Sequence, residues 1–159
     1  MKAKVLTAAQ IKKLIPKRRR TSHKGDNGHL LIVAGSRGMT GAAYLCALGA
    51  LKAGSGLVTV AGPEPVRRII VSRLPEAMTL PLPDTSDGYL TATAVRAIRK
   101  HVRRRTITTL AAGPGLTVHH SVRQIILSLV RLGLPLVLDA DGLNNITPSD
   151  IKKKSVSAS

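Results

Sequence analysis

Residues 24–60 read KGDNGHLLIVAGSRGMTGAAYLCALGALKAGSGLVTV, and carry a strand, a glycine-rich turn, a helix and a second strand in immediate succession. Residues 30–34 are a short apolar run between glycines, as a strand buried on both faces is. Gly35, Gly38 and Gly41 follow, so the backbone turns tightly and presents N–H groups at a helix start. The Ala- and Leu-rich residues 42–53 favour a helix, which Gly54 and Gly56 stop before residues 57–60 return to the sheet. The turn matches neither a P-loop, which needs Lys-Ser or Lys-Thr after its last glycine, nor the G-x-G-x-x-G dinucleotide fingerprint.

Two further strand ends carry the same kind of loop. Residues 110–116, LAAGPGL, run from strand into a second glycine turn, and residues 134–144, LPLVLDADGLN, end in paired acids. In an open parallel sheet these carboxyl ends share one edge, where ligands bind. The pattern predicts an α/β fold with a mostly parallel sheet flanked by helices: strands at 30–34, 57–60, 108–112 and 136–139, helices at 41–53, 65–72, 91–102 and 121–132. Residues 12–24, basic and Pro-containing, and residues 81–88, rich in turn formers, are expected to be loops.

HKGDNG at 23–28, AGSRGMTGAA at 34–43, AGSGLVTV at 53–60, RLPEAM at 73–78, AGPGL at 112–116 and DADGLN at 139–144 together resemble the ADP- or ATP-dependent NAD(P)H-hydrate dehydratases. The resemblance implies a ribokinase-like fold and a nicotinamide-nucleotide repair reaction. A nucleotide phosphoryl group goes to the ring hydroxyl of hydrated NADH or NADPH, and phosphate leaves as the double bond re-forms. ADP or ATP and Mg²⁺ are the implied cofactors. By the same resemblance Ala42, Gly113 and Gly115 line the hydrate pocket, where small residues let a nicotinamide ring lie against backbone. Lys24, in the HKG motif beside His23, is an expected phosphate contact.

The paired acids leave alternatives open. Residues two apart on a strand face the same way, so Asp139 and Asp141 both point into the cleft, or Asp141 caps the following helix. Asp139 is the expected site residue and the first candidate for a base. Asn144 contacts substrate or caps a turn. His119 and His120 have no Cys or acidic partner at metal spacing, and no metal is assigned to them.

The family's second half, with its TPHPGE-like loop, Lys-Gly nucleotide loop and GTGD motif, has no counterpart in this sequence. GTGD carries the family's expected general base beside a helix N-terminus that serves as anion hole. The expectation is therefore a domain truncated at its C-terminus, divided into a basic segment 1–22, a dehydratase portion 23–145 and a polar tail 146–159. Its expected partners are NADH or NADPH hydrate and, to cover the stranded sheet, another copy of the chain or a separately encoded C-terminal half.

Among 159 residues there are two Tyr and no Phe or Trp, so the core must be aliphatic. Cys46 alone excludes an intramolecular disulfide and suits a reducing compartment. With no secretory or membrane-spanning pattern, no membrane association is expected and a cytoplasmic setting is the default. A net charge of +17, with basic clusters at 17–20 and 99–105, raises a second reading, a nucleic-acid-binding or ribosome-associated protein. Against it stand the missing aromatic residues and the lack of any recognised nucleic-acid motif. A third reading is an inactive fragment.

Overall fold

The computed structural model describes residues 5–15 and 19–152. Five strands form one parallel sheet: β1 (His29–Val33), β2 (Leu57–Gly62), β3 (Met78–Pro81), β4 (Thr109–Ala112) and β5 (Leu136–Leu138). Their spatial order is β3-β2-β1-β4-β5. The helices are α1 (Ala8–Leu14), α2 (Thr40–Lys52), α3 (Glu64–Arg73), α4 (Ala94–Arg104), α5 (His120–Val130), α6 (Asp141–Asn144) and α7 (Pro148–Lys152).

The sheet winds outward from β1 in both directions, and this fixes which face each helix covers. Alternate residues of β1 point to opposite faces. Ile32 and Ala34 join Val58, Val60 and the α2 and α3 residues Ala43, Ala47, Val66 and Ile70 on one side. Leu31 and Val33 join Leu110, Ala112 and the α4 and α5 residues Ile98, Val122, Ile125 and Ile126 on the other. Each fully buried Leu, Ile or Val contributes roughly 1.5–3 kcal/mol. With no Phe or Trp, two close-packed aliphatic layers make up the core.

The four expected strands and four expected helices are all present, with ends shifted by up to three residues. Three differences have physical causes. β3 was not anticipated, because Met78–Pro81 is short and ends in proline; it lies at the sheet edge, where the missing N–H is tolerated. Residues 12–24, expected as loop, overlap α1, whose start is fixed by a reciprocal capping box between Thr7 and Gln10. A 3-10 turn at Lys24–Asn27 then leads into β1. Asp139, expected inside the last strand, lies just beyond β5. Lys17 and Arg18 of the first basic cluster, and residues 153–159 of the expected tail, lie outside the described residues. No helix among the described residues is long and apolar enough to cross a membrane.

At the amino edge of the sheet, His29 is 5% exposed and its Nε2 lies 2.8 Å from the Thr59 hydroxyl. Burial pushes its pKa below 6.5, reinforced by His101 and Arg105 on the overlying helix and its end. Burial lowers the pKa of His101 as well. A histidine held below its unfolded pKa stabilises the fold fully above about pH 6.5 and loses that contribution as pH falls through the interval down to the folded value. Glu64 works in a lower window: hydrogen bonds from Arg67 hold it at about 2, so its contribution persists down to about 4.5 and is lost below. Urea midpoints should therefore fall between about pH 6.5 and pH 5, before any carboxylate is involved. The fall should be shallower in His29→Gln. An equally steep profile in that variant would remove His29 from the account.

Candidate functional site

The order β3-β2-β1-β4-β5 reverses direction between β1 and β4, so the loops after these two strands diverge and leave a crevice at the carboxyl edge. Residues 34–39 form one wall and residues 113–119 the other. They are joined at the base, where the Gly35 N–H donates to the Pro114 carbonyl at 2.8 Å. Ala42, in the first turn of α2, and Gly115 meet across this junction. A Cβ on Gly115 would lie 3.1 Å from the Ala42 Cβ and 3.0 Å from that of Met39, and its φ of +68° is itself one that favours glycine. The chain brings these two expected site residues into contact, and the absent Gly115 side chain is what lets the loops close. Gly113, at φ +131°, is more tightly enclosed: a Cβ there would overlap the Asp139 carbonyl and the backbone of Gly142. By contrast a Cβ on Gly38 or Gly41 would meet nothing within 4 Å, so open space lies at the turn and at the start of α2. Met39, at the N-cap of α2, makes no side-chain cap, so the helix start is not closed by its own sequence.

The paired acids part company. Asp139 is exposed at the carboxyl edge, beyond the end of β5. Asp141 opens α6, and its carboxylate accepts the Thr117 N–H at 2.9 Å and the Asn144 side-chain amide at 3.3 Å. Strand alternation therefore does not orient the pair; Asp141 ties two loops together. Thr117 is held at φ +72°, a conformation that costs a β-branched residue of order 1–3 kcal/mol.

Asn145, which the sequence reading passed over in favour of Asn144, completes the tie. Its side-chain amide donates to the carbonyls of Thr117 at 2.8 Å and Asp141 at 2.6 Å, while its oxygen accepts the His119 N–H at 3.1 Å. It is 5% exposed, whereas Asn144 lies at the surface. Asn144 borders a concavity of about 420 Å³ with His119, His120 and Arg123.

Lys24 and His23 stand apart from the crevice. Both precede β1, at the amino edge, a strand's length of about 16 Å from the glycine turns. His23 caps the local 3-10 turn, accepting the Gly25 N–H at 3.1 Å, and its ring lies 3.3 Å from the Asp26 carboxylate.

Residues 81–88 were expected only as a turn-rich loop, but the segment 84–90 folds over the crevice. Gly88 accepts the Arg37 N–H at 2.9 Å, Leu90 accepts the Ser121 hydroxyl at 2.6 Å, and the rings of Tyr89 and His119 stand 4.2 Å apart. Within the two crevice loops the hydroxyls of Ser36 and Thr117 are buried without a hydrogen-bond partner. Such groups are rare in folded proteins and call for an account.

The model of the NAD(P)H-hydrate dehydratase family matches residues 30–157. The chain belongs to that family. It is 41% identical over 142 residues to the bifunctional NAD(P)H-hydrate repair enzyme Nnr of Moorella thermoacetica, covering 89% of this chain and 26% of that protein. The ADP/ATP-dependent NAD(P)H-hydrate dehydratase of Bacillus subtilis, crystallised with ATP and Mg²⁺, superposes with a TM-score of 0.69 at 34% identity, covering 86% of this chain and 46% of that one. A ribokinase-like superfamily protein of Enterococcus faecalis, 21% identical, superposes with a TM-score of 0.68 over 82% of this chain and 43% of that one. The fold is thus ribokinase-like, as the motifs implied, and the chain spans between about a quarter and a half of the length of these relatives.

The Asn144 and Asn145 pair gives a direct test of which residue holds the crevice together. Asn145→Ala should lower stability by about 2 kcal/mol or more, since it orphans buried backbone groups, and Asn144→Ala by no more than about 0.5 kcal/mol. Urea denaturation of both variants measures the difference. Equal losses would contradict the tie.

Proposed function

We propose that this chain supplies the hydrate-binding part of a nucleotide-dependent NAD(P)H-hydrate dehydratase, an enzyme that restores NADH or NADPH from its hydrated form. The reading rests on one observation above others: in a chain of this family, the crevice between β1 and β4 is floored by Ala42 and Gly115, with open space beside Gly38 and Gly41. A flat ring can approach backbone there, and the uncapped start of α2 offers N–H groups to a carboxamide or phosphate oxygen. Asp139 is the carboxylate nearest in role to a base at this edge. Gly113 and Asn144 act through the shape of the adjoining loop. Lys24, at the opposite edge, falls outside this pocket.

ADP or ATP with Mg²⁺ would supply the phosphoryl group that turns the ring hydroxyl into a leaving group. The described residues include no group of three His, Cys, Asp or Glu able to hold a metal, and Asp141 is already engaged. They offer no cage of several carboxylates, so Mg²⁺ would arrive on the nucleotide's phosphates with most of its waters, and the chemistry assigned to this chain is chiefly binding and orientation. A cytoplasmic setting suits cofactor repair. Val137 at 61%, Val118 at 64% and Leu143 at 51% exposure lie on or near the β5 side, where a second copy or a C-terminal half would find apolar surface.

Calorimetry with NADPH hydrate tests the pocket. Ala42→Leu should weaken binding at least about tenfold with little change in thermal midpoint, because the added side chain fills ligand space rather than core. Gly115→Leu should instead unfold the loop junction. Unchanged affinity in Ala42→Leu, or no binding by the unmodified chain, would sink the reading.

Turnover is a separate matter. Because the sequence contains no GTGD motif, the 159-residue chain alone should give little or no recovery of reduced-cofactor absorbance with ADP or ATP and Mg²⁺. Robust turnover would require a base among the residues described above, Asp139 first.

A further inference from the structure

α4, AVRAIRKHVRR, carries five Lys and Arg side chains and no acid, on a face that the crevice chemistry does not use. Ala94 and Ile98 are buried against the sheet, while Arg96, Arg99, Lys100, Arg103 and Arg104 are exposed and line a groove of about 560 Å³ along the helix. No carboxylate lines that groove. The ion pairs of the described residues draw on His23, Arg67, Arg68 and Arg123, and none reaches α4. Arg99 is steadied by a 3.2 Å hydrogen bond to the Ser128 hydroxyl of α5.

This arrangement works against the helix itself. Arg96 and Lys100, Arg99 and Arg103, and Lys100 and Arg104 are like-charged pairs at i, i+4, each unfavourable by a few tenths of a kcal/mol. A partner that brings anions to the face relieves all three at once. Arg96, Lys100 and Arg103 form a stripe about 10 Å long, which runs past about three phosphates of one strand of a double helix.

We infer that the α4 face is a docking surface for the phosphate backbone of double-helical nucleic acid. Two features separate this occupant from others. The exposed large apolar side chains all lie on other segments, so α4 has none to insert into a bilayer. Tyr44 and Tyr89 lie off α4, and with no Phe or Trp the face has no platform for stacking unpaired bases. What remains is backbone contact without sequence preference, on the layer of the fold opposite α2 and α3.

Fluorescence anisotropy with a short mixed-sequence DNA duplex, titrated between about 50 and 200 mM salt, tests the assignment. The triple variant Arg96→Gln, Lys100→Gln, Arg103→Gln should bind at least about tenfold more weakly at the lower salt, with a log–log salt slope shallower by about 2–3. A control with the same loss of charge on the opposite layer, Lys52→Gln, Arg68→Gln, Arg73→Gln, should keep most of the affinity and slope. Circular dichroism confirms that both retain the fold, since glutamine preserves helix propensity. Equal weakening in the two triples would reduce the effect to net charge and overturn the proposal. So would failure of the unmodified chain to bind duplex, tighter binding to phosphatidylserine vesicles than to duplex, or displacement of the duplex by polyglutamate at matched charge.

Discussion

β1 is paired on both edges and covered on both faces, and the rest of the molecule is arranged by that fact. Its register aligns Leu30 with Val58 on one side and with Thr109 on the other, so a single five-residue segment sets the height of both neighbours. A shift of one residue would exchange the two sets of core side chains between faces. Because the chain leaves β1 toward β2 and later returns to its other edge with β4, the loops after β1 and β4 diverge. The crevice follows from the topology, before any particular ligand is considered.

What closes the base of that crevice is small. The Gly35 to Pro114 hydrogen bond and the contact of Gly115 with Ala42 and Met39 need residues that bring almost no side chain. The outer rim is built from polar ties instead, with Asp141 and Asn145 holding Thr117 in a conformation it would not adopt alone. Close backbone approach below and hydrogen bonds above let two loops distant in sequence behave as one wall. The price is a strained threonine and two buried hydroxyls without protein partners.

Most of the architecture was legible in the sequence because each element announced itself locally. Short apolar runs leading into glycine or acidic turns marked four of the five strands, an Ala- and Leu-rich stretch marked α2, and the alternation of strand and helix placed α3, α4 and α5. β3 escaped because a four-residue edge strand ending in Pro81 carries too little pattern to separate it from a turn. The site was legible in part for the same reason. Ala42 and Gly115 lie in recognisable turns, and their contact follows from strand order. Asn145 was passed over because its role depends on Thr117 and His119, which are distant in sequence and become neighbours only when β4 and β5 pair. The placement of Lys24 at the far edge likewise depends on strand direction, which a motif does not encode.

The aliphatic core has an optical consequence. With no tryptophan, near-ultraviolet signals from this chain come from Tyr44 on α2 and Tyr89, and the latter is packed against His119 above the crevice. The protein therefore carries an intrinsic chromophore at the place where its loops meet. Opening of the 84–90 segment would alter the surroundings of Tyr89 while the secondary structure, seen in the far ultraviolet, stayed the same, so loop motion and global unfolding are spectroscopically separable without any added label.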